Sequence, residues 1–176
     1  MARSLRRAER RDRTGGAPGR EQGLGGSDRR AAAREARIGV DVSTQIEIAR
    51  PRAEVAAFAA APENAMRWYE NIKAVERLSA RSVAFTAEFM GRRMSYTYEI
   101  AEDIPGERLV MRTSEGPFPM ETTYTWADSG GGTRMTLRNR GEPKGFSKLA
   151  TPLLAVAMRR AVTRDLERLK QILERA

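Results

Sequence analysis

The sequence predicts an α+β fold, a curved seven-stranded antiparallel β-sheet wrapped around one long C-terminal α-helix, in the order β-α-α-β6-α. Three observations predict it. In the closing segment Ala155, Met158, Val162, Leu166, Leu169 and Leu173 recur at spacings of three and four, which puts them on one face of a helix. Between Ile72 and Arg140, six runs follow the period-two pattern of strands, most of them with one apolar and one polar face. The turns between those runs are short, so consecutive strands pair as an antiparallel meander. A helix this long and one-sided needs a wide apolar surface to lie on, and the apolar face of the sheet supplies one.

The elements follow in order from Ile38. Val42, Thr44, Ile46 and Ile48 alternate with Ser43, Gln45 and Glu47 in a first strand. Pro51 stands at or just before an Ala-rich helix over Arg52–Ala61, with Val55, Phe58 and Ala59 on one side. Pro62 breaks it, and Glu63–Tyr69 forms a second short helix. Ile72–Leu78 is a strand, and then Val83, Phe85, Ala87 and Phe89 mark the next, turned back at Gly91. Met94, Tyr96, Tyr98 and Ile100 mark another, closed by the turn Ile104-Pro105-Gly106-Glu107. Leu109, Met111 and Thr113 lead to Gly116-Pro117, and Met120, Thr122, Tyr124 and Trp126 to a flexible hairpin loop over Asp128–Gly132. Met135, Leu137 and Asn139 form the last strand. A short turn over Phe146–Ala150 or a kink at Pro152 precedes the closing helix, which Thr151 can cap and which spans roughly 36 Å to Arg175 at ~1.5 Å per residue.

Composition excludes several chemistries. The 176-residue chain has no cysteine and no histidine. Disulfides, thiolate or imidazole metal sites, a Cys nucleophile and a Ser-His-Asp triad are therefore absent. No metal and no cofactor is expected, and any chemistry falls to carboxylates, Tyr, Lys, Arg, Ser or Thr. No apolar run is long enough for a membrane span or a secretory signal, so a cytoplasmic location is the expectation. The net charge of +9 is uneven, because residues 1–37 carry 11 arginines against five acidic residues. That Arg- and Gly-rich stretch lacks apolar side chains enough to order itself and is expected to be a disordered tail. It offers nucleic acid or an anionic membrane an electrostatic contact, although a solvated extension or a start codon placed too early explains it as simply. Residues 38–176 form the folded domain.

The alternation places Phe85, Phe89, Tyr96, Tyr98, Met111, Thr113, Thr122, Tyr124, Trp126, Met135 and Asn139 on the concave face of the sheet, with Ala155 and Met158 facing them from the helix. Large apolar walls with a few hydroxyls suit a hydrophobic ligand that also carries a polar group. The same pattern describes a filled core. Trp68 and Tyr69 on one side, and Phe118 and Met120 in the Gly-Pro-Phe-Pro-Met loop on the other, are placed at the rim, as a gate or as packing of the sheet edge. Tyr96, Tyr98 and Tyr124 are the polar candidates, as hydrogen-bond donors that position a ligand or stabilise an enolate oxygen. No catalytic residue is singled out. Arg112, Arg134, Arg138, Glu88 and Glu99 fall in the polar phase of their strands.

Three stretches carry a family resemblance: TQIEIARPRAEVAAFAAAPENAMRWY at 44–69, TYTWADSGGGTRMTLRNRGEP at 123–143 and AVTRDLERLKQILE at 161–174. Over about residues 40–175 the chain resembles the SRPBCC superfamily of helix-grip folds, which includes START lipid-binding domains and polyketide cyclase/dehydrase-like proteins. The resemblance implies a deep, mostly apolar cavity between sheet and closing helix that takes a small hydrophobic ligand such as a lipid or a polyketide. Members that bind, members that cyclise or dehydrate, and members that act through partners all share it. No motif here matches one catalytic subgroup residue by residue, and the His-rich iron site of the Rieske-type relatives is impossible. Three functions follow as expectations: a hydrophobic-ligand binder, a polyketide cyclase/dehydratase working by confinement and Tyr hydrogen bonds, and an adaptor docking through the 1–37 tail.

Overall fold

The computed structural model describes residues 39–89, 91–142 and 151–176, all inside one compact unit, Arg37–Ala176. The tail expected over 1–37 and the turn expected over Phe146–Ala150 lie outside the described residues. Seven strands, β1 (Val40–Ile48), β2 (Ile72–Arg77), β3 (Ser82–Phe89), β4 (Arg92–Ile104), β5 (Arg108–Glu115), β6 (Met120–Ser129) and β7 (Gly132–Gly141), form one antiparallel sheet in the order β1-β7-β6-β5-β4-β3-β2. The last six are the expected meander, and β1 adds beside β7. Because β1 and β2 are the two edges, the link between them must cross the sheet. Helix α1 (Arg52–Ala60), a 3-10 turn at Pro62–Asn64 and the short helix α2 (Ala65–Trp68) make that crossing. Helix α3 (Thr151–Arg175) closes the fold.

The register joins the predicted concave face into one surface. Phe85 lies opposite Tyr96, Tyr98 opposite Thr113, Met111 opposite Thr122, Thr122 opposite Asn139, and Trp126 opposite Met135. The β4–β5 pairing slips between Ile100 and Glu102, a bulge that sets one extra residue on β4. On β5 the alternation holds: Leu109 and Met111 join the main core, whereas Val110, opposite Thr123, is buried outside it. The β6–β7 connection is also tighter than expected. Gly130 and Gly131 alone form the loop, with φ of 55° and 87°. Two consecutive positive φ values make the mirror-image turn that matches strand twist. Gly132 then has no room for a side chain, because a Cβ there would lie 2.3 Å from the Ile48 carbonyl oxygen.

Helix α3 runs alongside β1 in the same direction. Near its start Leu154 packs with Val40 and Val42. At its end Glu174 accepts a 2.7 Å hydrogen bond from the Ala49 amide, and the Arg50 guanidinium donates to the Leu173 carbonyl at 2.7 Å. The second contact satisfies one of the carbonyls every helix leaves open at its C-terminus and sets positive charge at the negative end of its dipole. Between these ties Val162, Leu166, Leu169 and Leu173 bury their side chains in the main core, each contributing about 1.5–3 kcal/mol of burial. The opposite face of the sheet is polar. Arg112, Arg134 and Arg138 are exposed there and pair across strands with Glu121, Glu47 and Asp41. Among the described residues no helix is long and apolar enough to cross a membrane.

Candidate functional site

The core thins where the first half of α3 faces β3–β6, and a cavity of about 650 Å³ opens between them. Its size falls within the usual range for small-molecule sites. Phe85, Tyr96, Tyr98, Met111, Thr122, Tyr124 and Asn139 line it from the sheet, Phe118 and Met120 from the β5–β6 hairpin, Tyr69 from the end of α2, and Met158 from α3. The sheet residues converge because they share one pleat face of adjacent strands. The wall is apolar except for a row of hydroxyl and amide groups, Arg92 and one carboxyl.

Two tyrosines anchor that row. The Tyr69 and Tyr124 hydroxyls are 2.7 Å apart and hydrogen-bonded. Trp68 stacks on Tyr69 with ring centroids 3.8 Å apart, and Trp126 stacks on Tyr124 at 5.9 Å, so two indoles fix the phenols from behind. Burial pushes both phenols well above the usual tyrosine range; for Tyr69 the neighbouring Tyr124 adds to the rise, while for Tyr124 the hydrogen bond to Tyr69 offsets part of it. Burial likewise pushes Tyr98 up to about 12. All three therefore stay neutral donors at physiological pH. Further along, buried Thr122 donates to the Asn139 side-chain carbonyl at 2.9 Å. Tyr96 meets Phe118 edge to face at 5.9 Å, and its ring also closes the space over Gly116, where a Cβ would come within 2.7 Å. The hairpin loop is thereby held against the cavity wall.

Asp165 is the carboxyl. It is 3% exposed, lines the cavity from α3, and accepts a 2.9 Å hydrogen bond at Oδ1 from the Glu70 amide. Burial pushes its pKa up to about 6, while the Glu70 amide and the outlying Arg164 and Arg168 pull it down. Its charge in turn raises both Tyr69 and Tyr124.

Several residues expected at the site lie elsewhere. Trp68 is not at a rim; it is wholly buried behind Tyr69. Tyr69, expected at the same rim, is in the cavity wall because α2 ends there and turns its ring inward. Trp126 and Met135 belong to the packed core instead of the cavity wall, since α1 covers that end of β6 and β7. Thr113 serves the β5–β6 hairpin, where its hydroxyl accepts the Met120 amide at 2.8 Å. Ala155 packs on the small cluster of Val40, Val42 and Leu154, because the start of α3 leans on β1. The Phe89 side chain lies outside the described residues. Sequence reasoning passed over Ala87, Met94, Ala161 and Asp165, all of which line the cavity. Asp165 carried a signal: it follows Met158 by seven residues and Val162 by three, so it is a charged residue set in the apolar stripe of α3.

A family profile described as polyketide cyclase / dehydrase and lipid transport matches residues 39–174. No curated protein matches the chain. Solved structures share its fold. A protein from Thermus thermophilus is 24% identical with a TM-score of 0.67, over 74% of this chain and 94% of that one. A START superfamily protein from Mycobacterium smegmatis is 14% identical with a TM-score of 0.69, over 77% and 97%. The Zhui aromatase/cyclase from Streptomyces sp. R1128 is 16% identical with a TM-score of 0.68, over 78% and 94%.

Proposed function

Since the matched profile spans residues 39–174, the chain belongs to the polyketide cyclase/dehydrase and lipid transport family, and from that premise we propose that it binds one small hydrophobic molecule, a lipid, polyketide or similar compound, between the sheet and α3. The observation that carries this reading is the cavity of about 650 Å³. An apolar space of this size is costly to leave to water, because water gains few hydrogen bonds on its walls, and favourable to fill with apolar surface. The aromatic rings of Phe85, Tyr96, Tyr98 and Phe118 favour flat or ring-bearing ligands through stacked and edge contacts. Mass spectrometry of an organic extract of natively purified protein, run against a mock preparation, tests it. A stoichiometric hydrophobic compound supports the reading. An empty protein that also takes up no apolar probe in titration contradicts it.

A second reading has one observation in its favour, neutral phenol donors in the wall of a largely apolar cavity. Such donors stabilise an enolate oxygen while the walls fold a flexible chain into one reactive conformation. This is the chemistry of a polyketide cyclase/dehydratase, and the Zhui relative is an aromatase/cyclase. Tyr98→Phe tests it. A drop in product formation with ligand affinity retained favours catalysis. Product profiles that are the same with and without the protein exclude it.

A further inference from the structure

One end of the cavity holds a hydrogen-bonding surplus that the protein itself does not use. Asp165 is almost wholly buried, and only its Oδ1 is engaged, by the Glu70 amide. Its Oδ2 has no hydrogen-bond partner among the described residues. Beside it stands the Tyr69–Tyr124 pair: the Glu70 amide that Asp165 accepts belongs to the residue after Tyr69, and Tyr69, Tyr124 and Asp165 line the same cavity. In that pair one hydroxyl donates to the other, so one phenol proton is left over without a protein acceptor. A lone acceptor and a lone donor thus adjoin each other in the wall of an apolar cavity. Buried polar groups are costly unless partnered, so the missing partner is a group that gives one hydrogen bond and takes one.

We propose that this end of the cavity is a subsite for a neutral hydroxyl group of the ligand, an alcohol or a phenol, which donates to Asp165 Oδ2 and accepts from the Tyr69–Tyr124 pair. The inference rests on the binding reading above and narrows its ligand class. A carboxylate or phosphate at this end meets the charge of Asp165 and is rejected. An ammonium group satisfies Asp165 but has no lone pair for the phenol proton. An unsubstituted hydrocarbon leaves both protein groups unpaired. The ligand expected here is therefore a hydroxylated apolar molecule with its hydroxyl directed toward α3.

Four matched probes test it by fluorescence titration at pH 8: 1-pyrenemethanol, 1-methylpyrene, pyrene-1-carboxylate and protonated 1-pyrenemethylamine. The alcohol is expected to bind about 10- to 100-fold tighter than the hydrocarbon, the range for a hydrogen bond to a charged group. The carboxylate is expected to bind more weakly than the hydrocarbon. In Asp165→Asn, and in the double change Tyr69→Phe with Tyr124→Phe that removes both phenol protons, the ratio of alcohol to hydrocarbon affinity is expected to fall at least about threefold. The double change keeps the aromatic rings and serves even if Asp165→Asn fails to fold. Binding of the hydrocarbon with no preference for the alcohol overturns the subsite and leaves the cavity reading standing. Tightest binding of the amine or the carboxylate overturns it too. Failure of all four probes overturns both.

Discussion

Asp165→Asn changes how stability depends on pH, and the structure fixes the sign. In the unfolded chain this carboxyl titrates near its ordinary 3.8, and in the folded protein burial raises it to about 6. Between those values the folded state holds a proton that the unfolded state has lost. Stability therefore falls as pH rises through that window, and the loss is complete above the folded value. At 1.36 kcal/mol per pH unit the gap from 3.8 to about 6 is worth about 3 kcal/mol. The groups facing Asp165 set the balance: the Glu70 amide and the side chains of Arg164 and Arg168 favour the ionised form, and the Glu70 carboxylate opposes it. Asp41, Glu47, Glu63 and Glu174 titrate below their usual values and act in the opposite direction at lower pH. They are present in both proteins, so they cancel in the comparison. Urea unfolding at pH 4 and pH 7.5 measures the effect. The wild type is expected to lose about 2.5 kcal/mol relative to Asp165→Asn across that interval, since part of the effect already lies below pH 4. Parallel profiles, with a constant difference between the two proteins, would refute the burial argument.

The other predictions are more local. Tyr69→Phe leaves the Tyr124 hydroxyl buried with its 2.7 Å partner gone and is expected to cost about 1–3 kcal/mol in chemical denaturation, part of which the double change Tyr69→Phe with Tyr124→Phe restores. Leu169→Ala, at a fully buried α3 position, is expected to cost about 2–5 kcal/mol by the same assay. Gly132→Ala forces a methyl against the Ile48 carbonyl and is expected to lower the thermal midpoint by several degrees, whereas Gly91→Ala, with open space at its Cβ, strains only its own backbone and costs less.

Periodicity made most of the fold legible. The α3 stripe and the alternating runs fix which face each side chain takes, and antiparallel register then brings Phe85, Tyr96, Tyr98, Met111, Thr122, Tyr124 and Asn139 to one wall. Period two cannot say how far along a strand the packed core ends and the cavity begins. Trp126, Met135 and Thr113 share the right face and lie beyond the cavity for that reason. The bulge beside Ile100 and the turn at Gly130-Gly131 are local breaks of pattern that alternation averages over. Tyr69 depends on where the short helix α2 stops, which its four residues leave weakly specified. Asp165 was the most informative departure, a charge in an apolar stripe. Its meaning emerged only when the Glu70 amide and the two phenols were found around it.

The central claim is that the space between sheet and α3 is a binding site. Ala161 lines it from the helix and is 7% exposed, so Ala161→Phe places a benzene ring at the cavity wall. Titration of both proteins with 1-pyrenemethanol, with stability checked alongside, tests the claim most directly. Saturable one-to-one binding by the wild type, abolished or reduced by more than about tenfold in an equally stable Ala161→Phe, is the predicted result. Equal binding by the two proteins, or no binding by the wild type, would contradict it.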